Sequence, residues 1–152
     1  MSTHEDAGEI ETLVHRMFRA LDARDFTPGW MLPYATGDAR METPLGDSAG
    51  DEALRAAETA LGRYVRTQHI ASGLLSETDG DRATASWNAL MTHVHADESV
   101  FTVGGVYEGD LVRTPEGWRF ERVAVRAVWT RGRPPAGAGA GAEGGAGVEG
   151  GA

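Results

Sequence analysis

The 152-residue chain contains no cysteine, and all fourteen of its basic residues are arginine. Without a thiol there is no thiolate nucleophile and no cysteine-ligated metal; without lysine there is no Schiff base. Chemistry done by this chain's own side chains falls to carboxylates, imidazoles and hydroxyls. Long apolar runs are missing as well, and none approaches the ~20 residues of a membrane span. The opening Met1-Ser2-Thr3-His4-Glu5-Asp6 has neither the basic patch nor the apolar core of a secretory signal. A cytoplasmic protein with no membrane partner is expected. Positive charge is scarce too: a net charge of −9 argues against a nucleic-acid partner, because phosphate binding calls for a basic face. Arginines do cluster between Arg113 and Arg133, but Arg122 and Arg126 alternate with Val123 and Val125 as on the wet face of a strand. Neither a glycine-rich phosphate cradle nor a nucleophile elbow occurs, since Gly104-Gly105 sits inside a strand pattern.

What is present suits one domain, large enough to bury roughly two-thirds of its unfolded surface. Ile10, Leu13, Val14, Met17, Phe18 and Leu21 recur at i, i+3, i+4 and i+7, which predicts a helix with one buried stripe. Asp25-Phe26-Thr27-Pro28 reads as an N-cap before a short helix or loop through Trp30–Tyr34. Ala39–Thr43 is a short strand ended by Pro44 and the turn-rich Gly46-Asp47-Ser48. Asp51–Val65 is a second helix. Strands follow over Thr67–Ser76, Ala83–His95, Phe101–Arg113 and Trp118–Trp129, with turns at Asp79-Gly80-Asp81 and Thr114-Pro115-Glu116-Gly117. Helices first and strands afterwards, on short connections, imply an α+β fold with a mostly antiparallel sheet. Residues 1–8 are expected to be flexible, 9–131 to fold, and the Gly/Ala-rich 132–152 to be disordered.

Several residues invite a chemical reading. Asp22 ends a helix, where the macrodipole disfavours a carboxylate by about 0.3–1 kcal/mol. His69 shares a strand face with Thr67, Ala71 and Gly73, small enough to leave room for a ligand. His93 and His95 fall on one face with Trp87 and Met91. With His69 they could supply three metal ligands, but spacing places no carboxylate beside them, and no metal is expected. Tyr107 follows Gly104-Gly105, a pair that suggests a bulge and a bend. Its hydroxyl could donate to a substrate oxygen or simply close the core.

The strings Ala20-Leu21-Asp22-Ala23-Arg24-Asp25-Phe26, Arg66-Thr67-Gln68-His69 and Gly104-Gly105-Val106-Tyr107 occur here in order, followed by Leu111–Thr114, Gly117-Trp118-Arg119-Phe120 and Val128-Trp129. In that order the chain resembles, over about residues 9–131, the SnoaL-like group of the nuclear transport factor 2-like superfamily, in the branch around scytalone dehydratase. The resemblance implies a cone-shaped α+β fold, with a strongly curved, mostly antiparallel sheet wrapped around N-terminal helices and enclosing an apolar pocket. It implies a catalytic dyad of Asp22 and His69, with His93 as a second pocket histidine. Leu21 and a position near Met41 stand where that branch uses two tyrosines to hold a water. The expected function is a cofactor-independent acid/base enzyme of dehydratase, isomerase or cyclase type, acting on a hydrophobic oxygenated metabolite such as a polyketide. His93, Tyr107, Trp87, Glu42 and Met91 are the expected substrate-binding residues. Two alternatives stand beside it: an epoxide-opening cyclase with a tyrosine or Glu42 as the acid, and a non-catalytic binding or assembly module. A homodimer is the expected assembly.

Overall fold

The computed structural model describes residues 3–136, and the expected disorder of the tail falls mostly on residues outside them. Helix α1 runs Thr3–Ala23 and buries Ile10, Leu13, Val14, Met17, Phe18 and Leu21, the stripe that the spacing predicts. It begins well before Ile10, so the segment expected to be flexible is helical from Thr3 onward. The reason lies far along the chain. Asp6 is buried and accepts hydrogen bonds from Trp118 Nε1 at 3.2 Å and Arg113 Nη2 at 3.0 Å, tying the first turn of α1 to the sheet.

No helix starts at Asp25. Residues 28–34 form consecutive turns, with Trp30 N–H to the Thr27 carbonyl at 3.1 Å and Tyr34 N–H to that of Met31 at 2.8 Å. Gly29 there holds φ at 81°, which interrupts any helical run. Strand β1 is Ala35–Thr43, and β2 is Gly46–Ala49, so the stretch expected as an open turn is a hairpin. Helix α2 is Asp51–Leu61. Strands β3 (Arg66–Asp79), β4 (Arg82–Val94), β5 (Val100–Thr114) and β6 (Gly117–Gly132) complete the chain.

The sheet order is β2-β1-β6-β5-β4-β3. Every pairing is antiparallel except β1 with β6, which is parallel and brings the first strand beside the last. Register shifts interrupt β3–β4 between Ser72 and Leu75 and β5–β6 between Gly104 and Gly105. Such bulges bend a sheet and steepen its twist. At the second shift a Cβ on Gly104 would meet the Trp129 ring at 2.2 Å, so the absence of a side chain there is what lets the indole lie flat on the strand. The first moves Gly73 off the face it was expected to share with His69 and lets Leu74 pack against the core. Trp87, Trp118, Phe120, Ile10, Leu111 and Val14 form the most deeply buried part of that core, between α1 and the concave face of the sheet. No helix among the described residues is long and apolar enough to cross a membrane.

Candidate active site

Asp22 stands in the last turn of α1, and the chain turns sharply just after it. Arg24 adopts φ of 59°, the left-handed conformation that ends a helix. Its guanidinium reaches across to the end of α2, where Nη2 donates to the carbonyls of Leu61 at 3.1 Å and Tyr64 at 2.7 Å. Those carbonyls stand at and just beyond the end of α2, so one arginine both satisfies them and clips the two helix ends together. This fixes where the last turn of α1 meets β3.

At that junction Asp22 meets His69 by two routes. The Asp22 Oδ1 to His69 Nδ1 distance is 2.7 Å, and the backbone N–H of His69 donates to Oδ2 at 2.8 Å. Thr67 Oγ1 donates to Oδ1 at 3.2 Å. Thr67 and His69 are i, i+2 on β3, so strand periodicity turns both toward the carboxylate. Burial opposes the charge on Asp22, but the bonds from the His69 ring, the His69 N–H and Thr67 outweigh it and hold the carboxyl below the usual aspartate range. A carboxylate accepts, so Nδ1 of His69 carries a proton and the neutral ring keeps its lone pair on Nε2. The side chain of His69 is 4 % exposed, against 19 % for Asp22.

His93 lies on the inward face of β4, as strand alternation predicts, whereas His95, expected on the same strand, stands one residue past its end at Val94; both are buried. His93 Nδ1 lies 3.0 Å from the Phe101 carbonyl, and His95 Nε2 lies 2.7 Å from that of Arg133. Each histidine therefore donates to a backbone carbonyl. Burial presses the His93 imidazole below its ordinary value near 6.5; His69 and His95 reinforce this, while the Phe101 carbonyl and Asp22 pull the other way. Ring centroids separate His69 from His93 by 6.0 Å, and Tyr64 lies 4.7 Å from His93 and 5.1 Å from His95. Among the described residues no three His, Asp or Glu side chains are gathered as a metal-ligand set.

The other expected site residues divide. Phe18 touches the His69 ring at 5.3 Å, Tyr107 at 5.3 Å and Trp87 at 6.1 Å, so the two larger aromatics stand behind Phe18 as seen from the dyad. Trp87 and Tyr107 stack at 5.1 Å and 12°. The Tyr107 hydroxyl has Met91 Sδ at 3.6 Å as its acceptor, and burial pushes the phenol well above its ordinary range. Trp87, Tyr107 and Met91 are thus members of the packed core. Glu42 is not near the dyad. Met41 packs inward, which turns the next residue along β1 to the opposite face, where Glu42 accepts from Arg122 Nη1 at 3.1 Å. Arg122 also donates to Asp110 at 2.7 Å, so Glu42 is half of a structural ion pair and does not supply an acid to the dyad.

Sequence reasoning assigned no role to Arg24, Tyr64 or Phe18 at the site. Arg24 lay inside a string that carried the resemblance, but a left-handed arginine leaves no local signature. A cavity of about 410 Å³ opens beyond His95, lined by Arg63, His95, Arg133, Pro134, Pro135 and Ala136. It adjoins the histidine row at its outer end, not the dyad itself.

Comparison with known proteins agrees with this architecture. The protein from Kribbella flavida called Kfla4162 superposes with a TM-score of 0.79 at 22 % identity, covering 86 % of this chain and 95 % of that one. A hexachlorocyclohexane dehydrochlorinase, LinA-type3 of Novosphingobium barchaimii, gives 0.72 at 17 % identity, covering 83 % and 88 %. A scytalone dehydratase-like protein from Novosphingobium aromaticivorans gives 0.71 at 20 % identity, covering 85 % and 91 %. At these identities the likeness is one of fold. No curated protein matches the chain in sequence. The SnoaL-like domain matches residues 2–124, and the chain belongs to that family.

Proposed function

We propose that this protein is a lyase- or isomerase-type enzyme that moves a proton on a hydrophobic, oxygenated small molecule, with Asp22 and His69 as its catalytic dyad. The observation that carries the reading is the 2.7 Å contact between Asp22 Oδ1 and His69 Nδ1. It holds the imidazole in the tautomer whose Nε2 is basic, and the carboxylate stabilises the imidazolium once Nε2 takes a proton. With a carbonyl substrate, His69 removes the α-proton and the electron pair passes into an enolate. Expulsion of a β-leaving group, return of the proton elsewhere, or attack on an internal electrophile completes a dehydration, isomerisation or cyclisation. The Phe18 ring against His69, backed by Trp87 and Tyr107, makes the surroundings of the dyad apolar, which supports a hydrophobic, polyketide-like carbonyl compound as the substrate.

The test is a panel of β-hydroxy and β-halo carbonyl compounds, assayed by loss of water or halide. His69→Ala should lower turnover of any substrate found by about 10²–10⁴-fold while the fold survives. Full turnover without His69 would overturn the dyad. The assembly that goes with this reading is a twofold dimer through the outer sheet face. There Ile70, Leu90, Gly104 and Trp129 are paired in register across four strands, and the three large side chains of that row are exposed.

A further inference from the structure

The cavity beyond His95 has a composition at odds with the rest of the molecule. The chain carries a net charge of −9, yet this hollow is framed by two guanidiniums and an imidazole. Arg133 pairs with Asp97 at 3.1 Å. Arg63 is exposed and forms no ion pair among the described residues. A third guanidinium, that of Arg24, lies against the carbonyls of Leu61 and Tyr64, which flank Arg63, and its Nη1 is buried with no hydrogen-bond partner. Of the acidic side chains nearby, Asp97 is taken by Arg133 and Glu98 by Arg66. Of the two guanidiniums that line the cavity, Arg63 is thus the one without a carboxylate partner among the described residues, and Arg133 lies beside it already paired.

The rest of the lining is apolar: Pro134, Pro135 and Ala136 follow Arg133 along the same segment. A volume of about 410 Å³ lies within the usual range for small-molecule sites. We propose that this cavity binds the carboxylate of a small organic acid, with Arg63 and Arg133 holding the anion and the proline wall covering its hydrocarbon body. Arginine suits the task, because its planar fork matches a carboxylate through two parallel hydrogen bonds and its stem packs on apolar surface. His95 fixes the inner edge: its bond to the Arg133 carbonyl ties the wall segment to the residue just past the end of β4. Replacing the Arg133 side chain leaves that backbone bond in place. The site needs neither Asp22 nor His69, so it stands or falls apart from the catalytic reading.

The experiment is a calorimetric titration of the full chain with 2-naphthoate and, separately, with the uncharged 2-naphthamide. The carboxylate should bind at least about tenfold more tightly, the difference expected of a charge-assisted pair. Arg63→Gln alone, and together with Arg133→Gln, should weaken naphthoate by a similar factor. His69→Ala should leave it unchanged. Both arginines are surface residues, and circular dichroism would verify that the variants fold. Binding of neither compound, equal binding of the two, or an unaffected Arg63→Gln variant would each overturn the proposal. So would loss of naphthoate binding in His69→Ala, which would place the acid at the dyad.

Discussion

Replacing Asp22 by asparagine changes one atom type and forces a choice on the dyad. In the native protein the two carboxylate oxygens accept from two fixed directions: the His69 backbone N–H at 2.8 Å and the His69 ring nitrogen at 2.7 Å. An amide offers one oxygen and one NH₂ group, so it can accept along only one of them. The backbone N–H cannot become an acceptor, whereas the imidazole can. The amide oxygen therefore turns to the backbone, its NH₂ donates to Nδ1, and the ring proton moves to Nε2. That tautomer has no lone pair where the base is needed. Both charge-assisted hydrogen bonds become neutral ones, each worth about 1 kcal/mol less, so unfolding by denaturant should show a loss of about 1–3 kcal/mol. Turnover should fall by about 10²–10⁴-fold, since the base is absent in the dominant form. Nitrogen-15 NMR of the imidazoles reads the outcome without a substrate, because protonated and unprotonated ring nitrogens differ widely in shift. The native protein should show His69 protonated at Nδ1, and Asp22→Asn should show it at Nε2. The same tautomer in both proteins would refute the reasoning, whatever the activity.

His93, whose imidazole burial holds below its ordinary value, should make stability fall with acid. The unfolded chain takes up the proton near pH 6.5 and the folded one only lower, so stability is lost as pH drops from about 6.5 toward the folded value. Urea unfolding of His93→Gln at pH 8, 6.5 and 5 should show a flatter pH dependence than the native protein, and parallel curves would contradict it. Asp6→Ala should destabilise by about 1–3 kcal/mol, because Trp118 Nε1 is left buried without its acceptor, whereas Arg113 keeps Asp81 at 3.3 Å. Unchanged thermal unfolding would show that the first turn of α1 does not matter. Trp129→Asp puts a charge in the exposed apolar row of the outer sheet face and should convert the proposed dimer to monomer in sedimentation velocity; a persistent dimer would place the interface elsewhere.

The elements themselves were legible in the chain because each is encoded locally. The stripe of α1, the alternation of β4 and the turns at Gly80 and Pro115 depend on residues a few positions apart and appear where the periodicity puts them; in β3 the alternation holds as far as Ser72, where the bulge breaks it. Trp87, Met91 and His93 share one face of β4 for the same reason. Asp22 and His69 could be paired only through resemblance to a family, since nothing local links residues 47 positions apart. Tertiary structure alone decided the rest. The parallel β1–β6 pairing fixed which face Glu42 occupies and so removed it from the site. Asp6 became part of a helix because Trp118 and Arg113, more than a hundred residues later, supply its donors. Arg24 could take a left-handed backbone because the carbonyls of Leu61 and Tyr64 hold its side chain. Side-chain periodicity states which way a residue faces; what it meets there depends on register between distant segments, which is settled only when the whole sheet packs on α1.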